Sequence, residues 1–310
     1  MKLFLLIVMI TCSIQGTKAG NYSTPGTGVS WSLGDLLANA GSSIIYNGSF
    51  YTVTDSITIS LNDTLKIYTD AVVKFSGSSA VLVKGTLLVN PPNAVMFTAE
   101  NTTTGGFLGI RIDGPSPTTS ILRKLTLEYA VSLRLSDVKP VIDSCIFQYN
   151  NFLSSTSFGN GAIALFRSSP LITNSSFLNN KRAAIQGGSN ISNAPKIINC
   201  LFEGNNTSNS NVPQINLGAT SAVGEDTVMI LNNRLLRSST NSGGIGFLPI
   251  GNVYAIISNN IIINNRYGLT FNGGNNINAV VSYNQVDSNN TQNNPSLGGS
   301  GIAFSGGTVS

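Results

Sequence analysis

The chain has 310 residues, of which 41% are hydrophobic and only 10% charged, with 32 Gly and no His. The formal charge is +4, but there is no run of Lys or Arg and no basic helix, so nucleic-acid binding lacks its electrostatic footprint. The absence of His removes Ser-His and Cys-His nucleophile systems and His-bearing zinc sites.

Residues 1–20 read MKLFLLIVMITCSIQGTKAG. One Lys, an apolar run from Leu3 to Ile10 and the small residues after it describe a secretory signal peptide, with an apolar stretch too short to span a bilayer. Residues 1–19 are assigned to it, with cleavage after Gly16 or Ala19. Cys12 follows Met-Ile-Thr, a poor lipoprotein box. Without Lys2 and Lys18 the mature chain holds 15 basic against 13 acidic residues. Export to the medium or the cell surface is expected, and no other stretch reads as transmembrane.

Residues 20–42 read as an N-terminal segment and cap. They hold the one candidate for a helical period, SLGDLLANA at 32–40, with Ser32 placed to cap its N-terminus. A cap is needed because an open parallel edge invites self-association. Residues 43–97 alternate tightly, as in DSITIS, DTLKIY, AVVKF and AVLVKGTLLV. Such alternation predicts short strands with one buried face.

Two phrases then recur in constant order. The first is Pro, an apolar pair, Asn or Ser, then Phe and Asn: KPVIDSCIFQYNN at 139–151, SPLITNSSFLNN at 169–180 and APKIINCLFEGNN at 194–206. Three fainter copies put Asn232, Asn259 and Tyr283 in the polar slot held earlier by Ser144, Asn174 and Asn199. The second phrase is a small residue followed by apolar-x-apolar: GIRI at 109–112, SLRL, AIAL, AIQG, QINL, GIGF, GLTF and GIAF at 301–304, with successive copies 22 to 33 residues apart. Such spacing marks a solenoid. A coil of that length holds about three short strands with turns, each coil bonded to the next about 4.8 Å above. The expected fold is therefore all-β, a right-handed parallel β-helix over residues 43–310 with a short N-terminal cap. The pattern expects further coils, or another domain, after Ser310.

In this frame the slot Asn sits at a turn, tolerating unusual backbone angles and stacking its amide on the coil below. Cys145, Ser175 and Cys200 occupy equivalent places on successive coils. Two rungs separate the cysteines by roughly 9.6 Å, beyond the ~7 Å Cα limit of a disulfide, so both are expected as free, buried thiols.

The segment from SWSLGDLL to KGTLLV, the FLGIRIDG that follows and the repeated Pro-x-Ile-x-Asn-x-x-Phe-x-x-Asn resemble secreted bacterial right-handed β-helix repeat proteins of the pectin-lyase-like superfamily, of the Bacteroidetes type. The resemblance covers about residues 30–305. It implies export, in some members through a C-terminal sorting domain. It does not choose an activity, because the superfamily holds lyases, hydrolases, tailspikes and adhesins. Its enzymes mostly act on acidic polysaccharides. The lyases use clustered carboxylates for Ca²⁺ with an Arg or Lys base, and the hydrolases use several Asp.

The outward positions of the second ladder are taken as Gly109/Arg111, Ser132/Arg134, Ala162/Ala164, Ala184/Gln186, Gln214/Asn216, Gly244/Gly246, Gly268/Thr270 and Gly301/Ala303. None is acidic, and the Asp-Asp pair of polygalacturonase-like hydrolases is missing, so no catalytic residue is assigned. Arg111 and Arg134 align on adjacent coils, with Asp113 and Asp137 just beyond. Two stacked guanidiniums suit a uronate or sulfate; the plainer reading is that Asp113, Asp137 or Glu128 neutralises them as surface pairs. Two functions stay open. One is an exported rod with a structural or binding role, its neutral Asn/Ser/Thr/Gly-rich flanks contacting glycans or other surfaces. The other is a polysaccharide lyase or glycoside hydrolase acting through loops such as 113–120 or 203–213. No metal site is assigned; calcium is the one cofactor kept open, although the Gly-Gly-x-Gly-x-Asp nonapeptide is absent.

Overall fold

Strands of two to seven residues follow one another around three walls in strict rotation. In the computed structural model, residues 20–103, 106–115, 118–151, 155–273, 276–293, 301–305 and 308–309 are described; residues 1–19, expected as a signal peptide, lie outside them. Each wall is an 11-stranded sheet, and from the strand Tyr51–Val53 onward neighbouring strands lie three apart in chain order. All pairings are parallel except the hairpin Ile44–Tyr46 with Tyr51–Val53. The fold is a right-handed parallel β-helix. Among the described residues, no helix is long and apolar enough to cross a membrane.

The first coil begins earlier than the alternation suggested. Tyr22–Ser23 joins the first sheet and Ser30–Trp31 the second. The expected helix runs Leu33–Asn39, with Ser32 and Asp35 in a reciprocal capping box. Its buried Leu33 and Leu36, with Trp31, enter the N-terminal end of the core. Asp63 fixes this segment. Its fully buried carboxylate accepts the backbone N–H groups of Gly26, Gly28 and Val29 at 2.8–3.0 Å. Burial alone would raise its pKa; bonds from Thr24 and the three amides outweigh it and hold the carboxyl below its usual range.

The core is a set of columns. Phe147, Phe177 and Phe202 stack with ring centroids 5.0 and 4.7 Å apart and planes within 9°. Leu235 and Ile262 continue that column in register. Phe247 and Phe271 stack at 4.8 Å on the first wall. Ile245 pairs with Leu269, as the ladder requires.

Polar residues at two corners hold the coils together, one position away from where the slot pattern put them. The slot residues Ser144, Asn174, Asn199, Asn232, Asn259 and Tyr283 adopt φ of 50–57° and are exposed. They turn the backbone; their neighbours form the buried ladder. Asn233 donates its N–H and Nδ2–H to Asn260 Oδ1, and Asn260 does the same to Asn284. The reason is geometric: a left-handed residue throws its own side chain outward and the next one in. The corner after the third sheet repeats the device, with Asn150 donating to Asn180 and Asn180 to Asn205.

Ser238 occupies the next slot of that second ladder and is too short to continue it. Gln214, from the first sheet, bridges instead: it accepts from Asn205 Nδ2 at 2.8 Å and donates to Asn265 Oδ1 at 3.1 Å. The outward assignment of Ser132, Ala162, Ala184 and Gln214 is thereby corrected, since all four are fully buried. At this corner two successive residues face the interior. The expectation of neutral polar flanks is also corrected. Outward columns of the second sheet run Ile121–Val141–Leu171 and Met229–Ile256–Val280, aliphatic residues that suit a half-exposed pleat.

Cys145 and Cys200 are free and buried, with Ser175 between them in the ladder. Burial pushes their thiols up to about 12 and about 11, so both stay protonated and unreactive.

Two predictions follow from these contacts. Replacing Asn180 by Ala strands Phe147 O, Asn150 and Asn205, and is expected to cost about 3 kcal/mol in urea unfolding. Asn174→Gly keeps the left-handed turn and should cost about 1 kcal/mol or less. Equal effects would contradict the division of labour. Asp63 has a depressed pKa, so its stabilisation is complete above about pH 4 and is lost as pH falls through the folded-state value. Trp31, the single Trp, should show a red-shifted emission on acidification, and Asp63→Asn should show that shift already at neutral pH.

Candidate functional site

Charged side chains gather where the first wall turns toward the second. The register makes a grid there. Arg111 pairs with Arg134, and Arg134 with Ala164; one column over, Asp113 pairs with Ser136, and Ser136 with Phe166. Alternation puts both columns on the outer face, and coil spacing sets neighbouring rows about 4.8 Å apart. Asp137 and Arg167, next along the chain, take left-handed turns at φ 57° and 50°, which aims both outward at one corner.

The four residues singled out from sequence are brought together, and the expected surface pairing is found for Arg111 with Asp113 but not for Arg134. Arg111 Nε lies 2.8–2.9 Å from the two Asp113 carboxylate oxygens. Asp137 does not neutralise Arg134. It receives a bidentate pair from Arg167, with Nε–Oδ1 of 2.6 Å and Nη2–Oδ2 of 2.7 Å. Glu128 accepts from Thr98 and Gln148. Arg134 makes no ion pair within 4 Å among the described residues. Its one side-chain bond is Nε to Ser136 Oγ at 3.3 Å. Its guanidinium lies 5.1 Å from the Phe166 ring centre, with that of Arg167 at 4.3 Å. Burial, then the charge of Arg111, lowers the Arg134 pKa against a smaller opposing pull from Asp113. Arg134 is thus a half-buried cation with unspent charge.

Two clefts flank the row and share Asp137. One, of about 250 Å³, runs past Ile112, Pro115, Thr119 and Lys139. The other, of about 380 Å³, lies between Arg167, Ile191 and Ala222. The loop bearing Glu225 walls the second. Ala222 and Glu225 pair their backbones, and Ser169 Oγ donates to Ala222 O at 2.8 Å. Glu225 then reaches Lys196 at 3.0 Å and Lys139 at 3.1 Å. Both lysines lower its pKa, Lys196 foremost. This clasp neutralises Lys139, which lines the first cleft, while Arg134 keeps no acidic partner among the described residues.

Sequence reading missed Phe166, Arg167 and the Lys139–Glu225–Lys196 clasp. Extending the ladder alignment by one position would have set Phe166 beside Asp113 and Ser136. Nothing in the sequence places Glu225 near Lys139, because a loop fold alone brings them together. Among the described residues no three carboxylates or thiols gather as a metal cradle, and the carboxylates of Asp113 and Asp137 are each held by an arginine.

A family described as "Right handed beta helix region" matches residues 130–309. No curated protein matches the chain. Among solved structures, ORF18 of Geobacillus virus E2 is similar at 15% identity and a TM-score of 0.22, the alignment covering 88% of this chain and 56% of that one. The chain therefore spans just over half the length of that protein. The family match takes in every coil from the Arg134 strand onward, and the three parallel walls agree with it: the chain belongs to the right-handed β-helix family.

Proposed function

We propose that this is an exported β-helix rod, at the cell surface or outside it, that binds acidic glycan through the Arg111–Arg134–Arg167 row. Export rests on the leader pattern of residues 1–19. The observation that carries the binding reading is Arg134, a partly desolvated guanidinium with no carboxylate partner among the described residues, beside an aromatic ring. A uronate or sulfate placed there meets charge that the protein leaves uncompensated. Arg111 and Arg167, each already paired with an aspartate, flank the position and leave Arg134 as its anion-binding group. The stiff wall holds the row without reordering, which lowers the cost of binding.

A second reading makes the same corner a polysaccharide lyase. That chemistry needs a base, and Arg134, set against Phe166 with no carboxylate partner among the described residues, is the candidate for it. Asp113 and Asp137 speak against a hydrolase pair, since each is engaged by an arginine.

Isothermal titration with an oligogalacturonate at low salt tests the first reading. The intact chain should bind, affinity should fall as salt rises, and Arg134→Ala should weaken binding about tenfold. Equal affinity in Arg134→Ala, or no binding at all, overturns it. Ultraviolet absorbance of an unsaturated uronate product, lost in Arg134→Ala, would establish the lyase instead.

A further inference from the structure

A second hollow lies farther along the first wall, three coils beyond Arg134. Its floor is the outward column Asn216–Gly246–Thr270, in register on consecutive coils. The hollow measures about 150 Å³, with Pro213 and Tyr267 as walls and Asn211 and Asn272 at the rim. Two glycines create it. A Cβ on Gly243 would fall 2.1 Å from the Tyr267 ring, so this glycine seats the ring against the backbone. A Cβ on Gly246 would stand 2.8 Å from Pro213 Cγ and 3.3 Å from the Tyr267 hydroxyl. The hydroxyl therefore overhangs the bare outer face of Gly246.

The groups around this hollow are neutral and hold unused hydrogen-bonding capacity. None of the lining side chains is charged. Among the described residues, the Tyr267 and Thr270 hydroxyls and the Asn272 amide make no hydrogen bond to protein, and the Arg266 guanidinium lies 6.0 Å from the Tyr267 ring centre. Asn216 gives Nδ2 to Gln186 Oε1 at 3.2 Å and keeps its own Oδ1 free. Asn211 Oδ1 accepts from Arg266, which leaves its Nδ2 as a donor. Burial pushes the Tyr267 hydroxyl up to about 12, so it remains a donor at physiological pH.

We propose that this hollow is a subsite for one neutral sugar ring of a glycan lying along the wall. A neutral pyranose carries hydroxyls that donate and accept together, and an apolar C–H face. The mixed amides and hydroxyls match the first, and Pro213 and Tyr267 match the second. An anionic residue would find no cation in the lining. The subsite runs from roughly 14 Å to roughly 24 Å from Arg134 by coil spacing and does not depend on the acidic-glycan reading.

The test is titration of the intact chain with neutral pentasaccharides of glucose, xylose, mannose and N-acetylglucosamine, beside an oligogalacturonate. At least one neutral chain should bind. Tyr267→Phe and Thr270→Val, both near-isosteric, should each weaken it about tenfold, and Gly246→Leu should abolish it. Unaltered melting of Tyr267→Phe and Thr270→Val keeps the result readable where Gly246→Leu disturbs the coil. Failure of every neutral chain to bind, or neutral binding indifferent to Tyr267→Phe and Thr270→Val, overturns the proposal. The oligogalacturonate arm reports separately on the arginine row.

Discussion

Every coil must lend hydrogen-bonding partners to the coil before it. Strands manage this along the walls, but at a corner the backbone leaves its ladder and its N–H groups turn inward, where an unpaired donor is costly. The buried Asn columns answer that demand. Asn180 serves the backbone of Phe147 and Asn150 from below and reaches Asn205 above. Side-chain identity at such a position is thus dictated by the rung beneath it, and the stacked Phe147–Phe177–Phe202 column follows from the same registration. A shift of one residue in any coil would expel its Phe and its Asn together.

Much of this was legible in the chain. Periodic phrases named the walls, the coil length and the core column, because registration forces like residues onto like places. The helix from Ser32 was readable for a local reason, a capping box written within four residues. What escaped was the choice between adjacent positions at a corner. Asn174 and Ser175 are both polar, and only the left-handed angle decides which faces in. Gln214 escaped for a related reason: it mends a ladder that Ser238 interrupts, and sequence adjacency does not record a bridge between walls.

At the site, the same contrast separates what could be read. Arg111 and Arg134 sit on the wall, so ladder alignment placed them side by side. Their partners were settled by corners and loops, where alignment has no hold. Asp137 turned to Arg167 because both residues occupy left-handed positions on successive coils. Glu225 meanwhile neutralises Lys139 at the neighbouring cleft. The open charge of Arg134 is in that sense a product of its surroundings as much as of its own position. Farther along the wall, small residues do the opposite work, and Gly243 and Gly246 shape a neutral hollow by omission.

The amide columns also have a direction. Asn150, Asn180 and Asn205 each present an oxygen toward earlier coils and hand a proton toward later ones, and Gln214 preserves that order in passing it to Asn265. The column therefore behaves as a one-way series of aligned dipoles, and its two faces are chemically unlike. Another rod continuing this stack would have to arrive tail to head; an inverted arrival would set oxygen against oxygen. Growth, fusion or grafting of coils on this scaffold is vectorial for that reason, whatever the outer surface carries.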